Sequence, residues 1–111
     1  MTRFTNGPAT GVTLLLRRVP IYLRVVAKQR QCGRPEWDAL DQVDDTPTSD
    51  ETLYAYRKVS DDGTVHINRG RHGSGFYAIA TYEFIEPQPS DTTMRDTQQW
   101  RDWCYAQHKP S

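Results

Sequence analysis

The residue types best suited to binding chemistry lie in the glycine-rich stretch GRHGSG at residues 70–75, which follows Arg69. Glycines let backbone amides approach an anion, and the side chains of Arg69, Arg71 and His72 add positive charge. The stretch has the composition of a phosphate-binding loop. A strand-forming run follows it instead of a helix, so it matches neither the phosphate loop of nucleotide-binding enzymes nor the dinucleotide fingerprint. An ordinary hairpin loop is the alternative interpretation.

Charge is segregated along the first half of the chain, although the formal net charge is zero. Residues 1–34 carry bases and no acid, and residues 35–51 carry acids and no base. The bases are Arg3, Arg17, Arg18, Arg24, Lys28, Arg30 and Arg34. The acids are Glu36, Asp38, Asp41, Asp44, Asp45, Asp50 and Glu51. The acidic segment either folds back beside the basic strands or projects outward to meet a charged partner.

Residues for catalysis or metal binding lack the spacing that these chemistries need. Two cysteines, Cys32 and Cys104, are far apart in sequence, and only His108 lies within a few residues of either, so the closely spaced ligands of a zinc motif are not present. The acids of DALDQVDD lack the order that wraps calcium, and no Gly-x-Ser-x-Gly elbow occurs. The sequence predicts reduced thiols, no metal, no cofactor and no enzymatic activity.

Hydrophobic periodicity predicts the elements that would position these residues. Residues 1–11 contain little to pack and predict a flexible N-terminal arm. The segments 12–27 and 52–68, and the run from 76 to 86, alternate as strands do, and Asp-Gly at 62–63 predicts a hairpin turn. Ser90 or Asp91 is predicted to cap a helix that continues to about residue 107.

A second, shorter helix is predicted near residues 36–44. Trp37, Leu40 and Val43 recur every three residues, which is typical of one helix face. The fold class is therefore α+β: a small antiparallel sheet of four or five strands, with a C-terminal amphipathic helix packed on it. Residues 12–108 form one domain, because the length suits a single hydrophobic core.

Targeting signals are not evident in the sequence. The early apolar run from Val12 to Leu16 is shorter than the roughly 7 to 15 residues of a signal peptide, and Arg17 and Arg18 follow it. No window approaches the roughly 18 apolar residues of a membrane helix. A cytoplasmic protein without membrane contact is the expectation.

Four blocks of sequence carry a resemblance to known proteins: LLLRRVPIYLRVV, WDALDQVDDTP, LYAYRKV and EPQPSDTTMRDTQQWRDWC. Together they resemble small uncharacterised accessory proteins of tailed bacteriophages and prophages. The resemblance implies a host bacterial cytoplasm, and a class of gene product that includes inhibitors of host defence such as anti-CRISPR proteins. It assigns a role to no residue.

Two functional hypotheses follow. In the first, the chain is a non-enzymatic accessory protein that binds a host protein or ribonucleoprotein. The candidate partner-binding residues are Arg69, Arg71, His72, Asp38, Asp41, Asp44 and Asp45. In the alternative, it is a nucleic-acid-binding module that uses the loop 69–75 and the basic block 17–34. The candidate nucleic-acid-binding residues are Arg17, Arg18, Arg24, Arg69 and Arg71.

Overall fold

The computed structural model describes residues 1–31, 33–40, 47–71 and 73–108. These residues form six strands and two helices, which confirms the α+β class. In chain order they are β1 (Thr2–Phe4), β2 (Thr13–Leu14), β3 (Tyr22–Lys28), β4 (Glu36–Leu40), β5 (Glu51–Ile67), β6 (Gly75–Phe84), α1 (Asp91–Arg95) and α2 (Thr97–His108).

The six strands form one sheet in the order β2-β1-β6-β5-β3-β4. All neighbours are antiparallel except β1 and β6, which run parallel. The outer strands β2 and β4 contact each other, so the sheet curls into a nearly closed barrel. The predicted antiparallel sheet of four or five strands is thus broadly right, and the parallel pair is the main departure from it.

The turn predicted at Asp-Gly does not form, because β5 continues through it. The long strand β6 pairs with both halves of β5, from Tyr56 opposite Phe84 to Ile67 opposite Gly75. Register shifts between Lys58 and Ser60, and again between Asp61 and Thr64, place extra residues of β5 in two bulges. Bulges bend a strand and increase its twist, which suits closure of a small barrel. The hairpin lies instead between β5 and β6, at residues 68–74.

The short helix predicted near residues 36–44 is wrong for residues 36–40, which form β4 beside β3. Trp37 packs against the barrel interior, whereas Leu40 packs against the cluster beneath the helices. Residues three apart in a strand therefore project on opposite faces, because successive side chains alternate across a sheet. Residues 41–46 lie outside the described residues.

The predicted flexible arm at residues 1–11 is also corrected by the structure. Thr2 and Phe4 of β1 are buried between β2 and β6, and Ala9 is fully buried. The hydroxyl of Tyr56 accepts a hydrogen bond from the Ala9 amide at 2.9 Å and donates one to the Asn6 carbonyl at 3.0 Å. The segment packs because the barrel supplies partners that cannot be read from its own composition.

The barrel interior is rich in aromatic side chains. Phe4 meets Tyr56 edge to face with ring centroids 4.9 Å apart, and Tyr82 lies 5.9 Å from Phe4. Such pairs contribute about 0.5–1.5 kcal/mol beyond the area they bury. Few large aliphatic residues are therefore needed to fill this interior.

The two helices cover the outer face of the sheet across β3 and β5. The Ser90 hydroxyl caps α1 by accepting from the Thr93 amide at 3.1 Å, so Ser90 is the cap of the two predicted candidates. The single helix predicted to about residue 107 is divided at Asp96 into α1 and α2. Met94 and Trp100 pack with Val26, Leu53 and Ala55 in a second hydrophobic cluster. No helix in the described part of the chain is long and apolar enough to cross a membrane.

Truncation of Trp100 tests the packing of α2. Trp100 is 7% exposed and stacks on Trp103 at 5.2 Å, whereas Tyr105 on the same helix is 73% exposed. We expect Trp100→Ala to lower the free energy of unfolding by about 3–5 kcal/mol. Tyr105→Ala should change it by less than about 0.5 kcal/mol. Urea denaturation followed by circular dichroism measures both, and equal effects would contradict this packing.

A pair of glycine variants tests the docking of residues 1–11. Gly7 has φ +77°, and a Cβ there would lie 2.6 Å from Cγ of Phe84. Gly11 has φ +83° with open space around it. Both alanine variants bear the backbone strain of a left-handed residue, so their difference isolates the clash. We expect Gly7→Ala to cost about 1–3 kcal/mol more than Gly11→Ala in thermal unfolding; equal melting temperatures would indicate a loose arm.

Candidate functional site

The segment between β2 and β3 is held to the sheet at four backbone carbonyls. The Leu16 carbonyl accepts from the Ala78 amide at 2.8 Å, and the Ile21 carbonyl accepts from the Lys58 amide at 2.7 Å. Between them, the Val19 carbonyl accepts from Lys58 Nζ at 3.0 Å, and the Pro20 carbonyl accepts from the Tyr82 hydroxyl. Arg17 and Arg18 lie inside this fixed segment, and both side chains are exposed.

Ser74 organises the loop at residues 68–74 that joins β5 to β6. Its hydroxyl accepts from the Arg69 amide at 2.8 Å and donates to the Gly70 carbonyl at 2.7 Å. The Gly70 amide donates to Asn68 Oδ1 at 3.2 Å. The hydroxyl therefore braces the loop, and Arg69 and Arg71 are presented on a shaped turn.

Arg17 reaches this loop from the neighbouring segment. Its guanidinium lies 5.1 Å from the centre of the Tyr77 ring, which is a cation–π geometry, and 3.5 Å from the Ser74 carbonyl. A Cβ added at Gly75 would lie 3.4 Å from a guanidinium nitrogen of Arg17. Tertiary structure thus joins two basic regions that are about fifty residues apart in sequence. We call Arg17, Arg69 and Arg71 the loop cluster.

A groove lies along the outer face of β6. It has a volume of about 310 Å³ and is lined by Met1, Arg3, Asp62, Val65, Ile79, Ala80 and Thr81. Arg3 pairs across the sheet with Thr81, on the same face as Tyr77 and Ile79. From Tyr77 to Thr81 the strand covers about 13 Å at its usual rise per residue. One base, Arg3, and one acid, Asp62, line this groove.

The charges of the loop cluster are not neutralised by described residues. Five other bases form ion pairs within 4 Å of a carboxylate. They are Lys28, Arg30, Arg57, Lys58 and Arg95. Within residues 1–31, 33–40, 47–71 and 73–108, no carboxylate forms such a pair with Arg17, Arg69 or Arg71. In the part of the chain that the structure describes, the three arginines are therefore exposed and have no carboxylate partner.

Arg24, a predicted nucleic-acid-binding residue, is buried beneath the helices with 1% of its surface exposed. Its guanidinium donates to the Met94 carbonyl at 2.9 Å and lies 5.5 Å from the centre of the Trp100 ring. Because alternate residues of β3 face the helices, Arg24 shares a face with Tyr22 and Val26. It has an internal role and does not belong to a surface site.

The other predicted binding residues lie in different places. Arg18 is exposed beside Arg17, and Asp38 is exposed on β4, where its Oδ1 accepts from the Ala39 amide at 2.8 Å. Four further candidates lie outside the described residues, and their proposed roles stay predictions: His72, Asp41, Asp44 and Asp45.

Two ion pairs join the basic and acidic blocks. Lys28 Nζ lies 3.7 Å from Asp50, and Arg30 lies 2.8 Å from Glu36. The pairing of β3 with β4 and β5 brings these residues to one end of the sheet. All four side chains are more than half exposed, so each pair stabilises the fold by less than about 1 kcal/mol. For these residues the acidic segment folds back, as the first alternative predicts.

Groups with nucleophilic or ligating potential are poorly placed for chemistry. Burial raises the pKa of the Cys104 thiol to about 11, so it is protonated at neutral pH. The Ser74 hydroxyl is engaged within its loop. Among the described residues, no three His, Cys, Asp or Glu side chains are grouped closely enough to hold a metal ion.

Three residues of this surface were missed by sequence reasoning: Arg3, Tyr77 and Phe76. Phe76 is 64% exposed, although its alternating run reads as the buried face of a central strand. Arg3 lies in the segment 1–11 that the sequence predicts to be a flexible arm. The contact between Tyr77 and Arg17 could not be predicted from the sequence, because only the fold brings these two residues together.

Removal of the Ser74 hydroxyl tests the bracing of the loop. Without it, the Arg69 amide loses an acceptor at 2.8 Å, and a typical hydrogen bond contributes about 0.5–1.5 kcal/mol. We expect Ser74→Ala to speed hydrogen exchange of the Arg69 amide by about 2- to 10-fold in NMR spectra. Ser60→Ala, in a bulge of β5, is the control and should leave that amide unchanged. An unaltered Arg69 exchange rate in Ser74→Ala would contradict the bracing role.

Comparisons with known proteins were made at three levels. A scan against protein-family models, a search of the curated proteins and a search of the solved structures each find no match to this chain. The resemblance to phage accessory proteins therefore stays a prediction. The function proposed for the chain depends on the side chains and charges of the hairpin tip and the groove beside it.

Proposed function

We propose that this chain is a non-enzymatic binding protein whose loop cluster holds the backbone of a nucleic acid. The main supporting observation is that Arg17 contacts the loop that carries Arg69 and Arg71. The described carboxylates form their ion pairs with other bases. Guanidinium groups offer forked donors that match phosphate oxygens. Among the described residues, no ion pair has to be broken before these arginines bind an anion.

The geometry of the loop adds to the charge. Gly73 has φ +89°, and a Cβ there would lie 3.6 Å from the Tyr77 hydroxyl and 3.7 Å from the Arg69 side chain. A side chain at this position would find ordinary van der Waals contacts, so the requirement for glycine comes from the left-handed backbone. Gly73 therefore makes the turn between Arg71 and Ser74, and Ser74 is the loop residue that Arg17 contacts.

The host-directed hypothesis is compatible with this proposal. A ribonucleoprotein of a host defence system presents phosphates, and an accessory protein that binds them could inhibit it. No feature of the described residues selects such a partner over free nucleic acid. The anti-CRISPR form of the hypothesis predicts that expression of the chain restores phage plating on an immune bacterial host; unchanged plating would remove it.

Alanine variants of the loop cluster test the proposal. Phosphate contacts release counterions, so affinity falls with salt at a log–log slope near −0.9 per contact on duplex DNA and −0.7 on single strands. In fluorescence anisotropy with labelled oligonucleotides, we expect the triple variant Arg17→Ala, Arg69→Ala, Arg71→Ala to make the slope shallower by about 2–3. The affinity of this triple variant for the oligonucleotides should fall as well.

The matched control is the triple variant Lys28→Ala, Arg30→Ala, Arg57→Ala. It removes the same number of positive charges, but each of these bases pairs with a carboxylate. We expect it to retain most of the affinity and salt slope of the wild type. Absence of wild-type binding at low salt, or an equal loss in both triple variants, would reject the proposal. Melting temperatures verify that each variant is folded.

A further inference from the structure

Phe76 is a large apolar side chain that the fold leaves in solvent beside the loop cluster. It is 64% exposed, although Tyr77 and Tyr82 on the same strand are buried. It comes two residues after Ser74, whose carbonyl faces the Arg17 guanidinium. An exposed ring next to unneutralised arginines combines the two contacts that unpaired nucleotides need, a flat apolar surface and a cation.

The ring of Phe76 contacts the ring of His66 on the neighbouring strand. His66 lies directly opposite it in the β5–β6 ladder, with ring centroids 5.1 Å apart and an interplanar angle of 69°. This edge-to-face contact restricts the orientation of the Phe76 ring. A ring whose orientation is already restricted loses less rotational freedom when a second ring stacks on it.

The two faces of the hairpin carry different groups. Side chains alternate along β6, so Phe76 projects on the face opposite to Tyr77 and Arg17. The loop at residues 68–74 lies between these faces. A flexible strand can cross the tip, place phosphates on the arginines and turn a base onto Phe76. A duplex keeps its bases stacked inside and has no free base to offer such a ring.

We infer that the nucleic acid bound by this chain is single-stranded, and that Phe76, oriented by His66, stacks on one unpaired base. The inference rests on the proposed function, since the arginines supply the electrostatic part of the binding. Base stacking on an aromatic ring tolerates any base, so binding depends weakly on sequence. A protein partner that docks on Phe76 is the competing occupant, and the variants below distinguish the two.

The experiment compares oligo-dT, oligo-U and a duplex of equal length by fluorescence anisotropy at fixed low salt. We expect the wild type to bind a single-stranded probe more tightly than the duplex. Phe76→Ala should weaken single-strand binding by roughly 5- to 150-fold, the range for loss of one stacked base. Duplex affinity should stay unchanged. The two single-stranded probes separate DNA from RNA as the source of the unpaired base.

Two substitutions at the same position separate stacking from apolar contact. Phe76→Trp retains an aromatic face and should bind single strands at least as well as the wild type. Phe76→Leu retains apolar surface without a ring, so it should bind as weakly as Phe76→Ala. Tyr105→Ala removes a ring that is 73% exposed on α2 and is the control, with unchanged affinity expected.

The outcomes separate this inference from the proposed function. Equal wild-type affinity for single strands and duplex, or wild-type affinity in Phe76→Leu, would overturn the stacking role while binding through the arginines still stands. Absence of wild-type binding to all three probes would overturn both the stacking inference and the proposed function. Phe76 is exposed, so its variants are expected to fold, and melting temperatures within a few degrees of the wild type verify this.

Discussion

Buried tyrosine hydroxyls tie the loops of this structure to the barrel interior. Tyr56 and Tyr82 have no exposed surface, and an unpaired hydroxyl in such a place costs about 1–3 kcal/mol. Burial also raises the pKa of both phenols, so they remain protonated donors. Their partners are backbone groups of Asn6, Ala9 and Pro20, which belong to loops and not to strands. A chain with few large aliphatic residues thus fills its barrel with rings, and the rings fix its loops.

The same constraint positions the candidate site. Tyr82 holds Pro20, and Lys58 holds the residues on either side of it, so the segment that carries Arg17 cannot move away from the β5–β6 tip. The arginine consequently stays beside a loop that is itself braced by Ser74. Exposed cations without acidic partners act on an anion over about 8–10 Å at moderate salt. Rigid core packing and a long-range electrostatic surface are therefore linked in this fold.

Sequence patterns failed here where one pattern can serve two geometries. A spacing of three between Trp37 and Leu40 fits a helix face, yet it also places residues on opposite faces of a strand that packs a partly buried side chain on each face. Asp-Gly favours a tight turn, but a long neighbour such as β6 can absorb the same residues as a bulge. Arg24 reads as surface charge by type, whereas its alternation with Leu23 and Val25 directs it beneath Trp100.

The amino-acid sequence by itself determined the α+β class, the Ser90 cap, the apolar side of the C-terminal helices and the loop that carries Arg69 and Arg71, because each depends on local periodicity or backbone preference. The sequence also contains the segregated charge blocks, and residues of the basic block form two ion pairs with residues of the acidic block. Tertiary structure alone decided the parallel pairing of β1 with β6, the burial of Arg24 and the approach of Arg17 to Tyr77. These features join residues far apart in the chain, and their free energy comes from packing and desolvation that no local window of sequence contains.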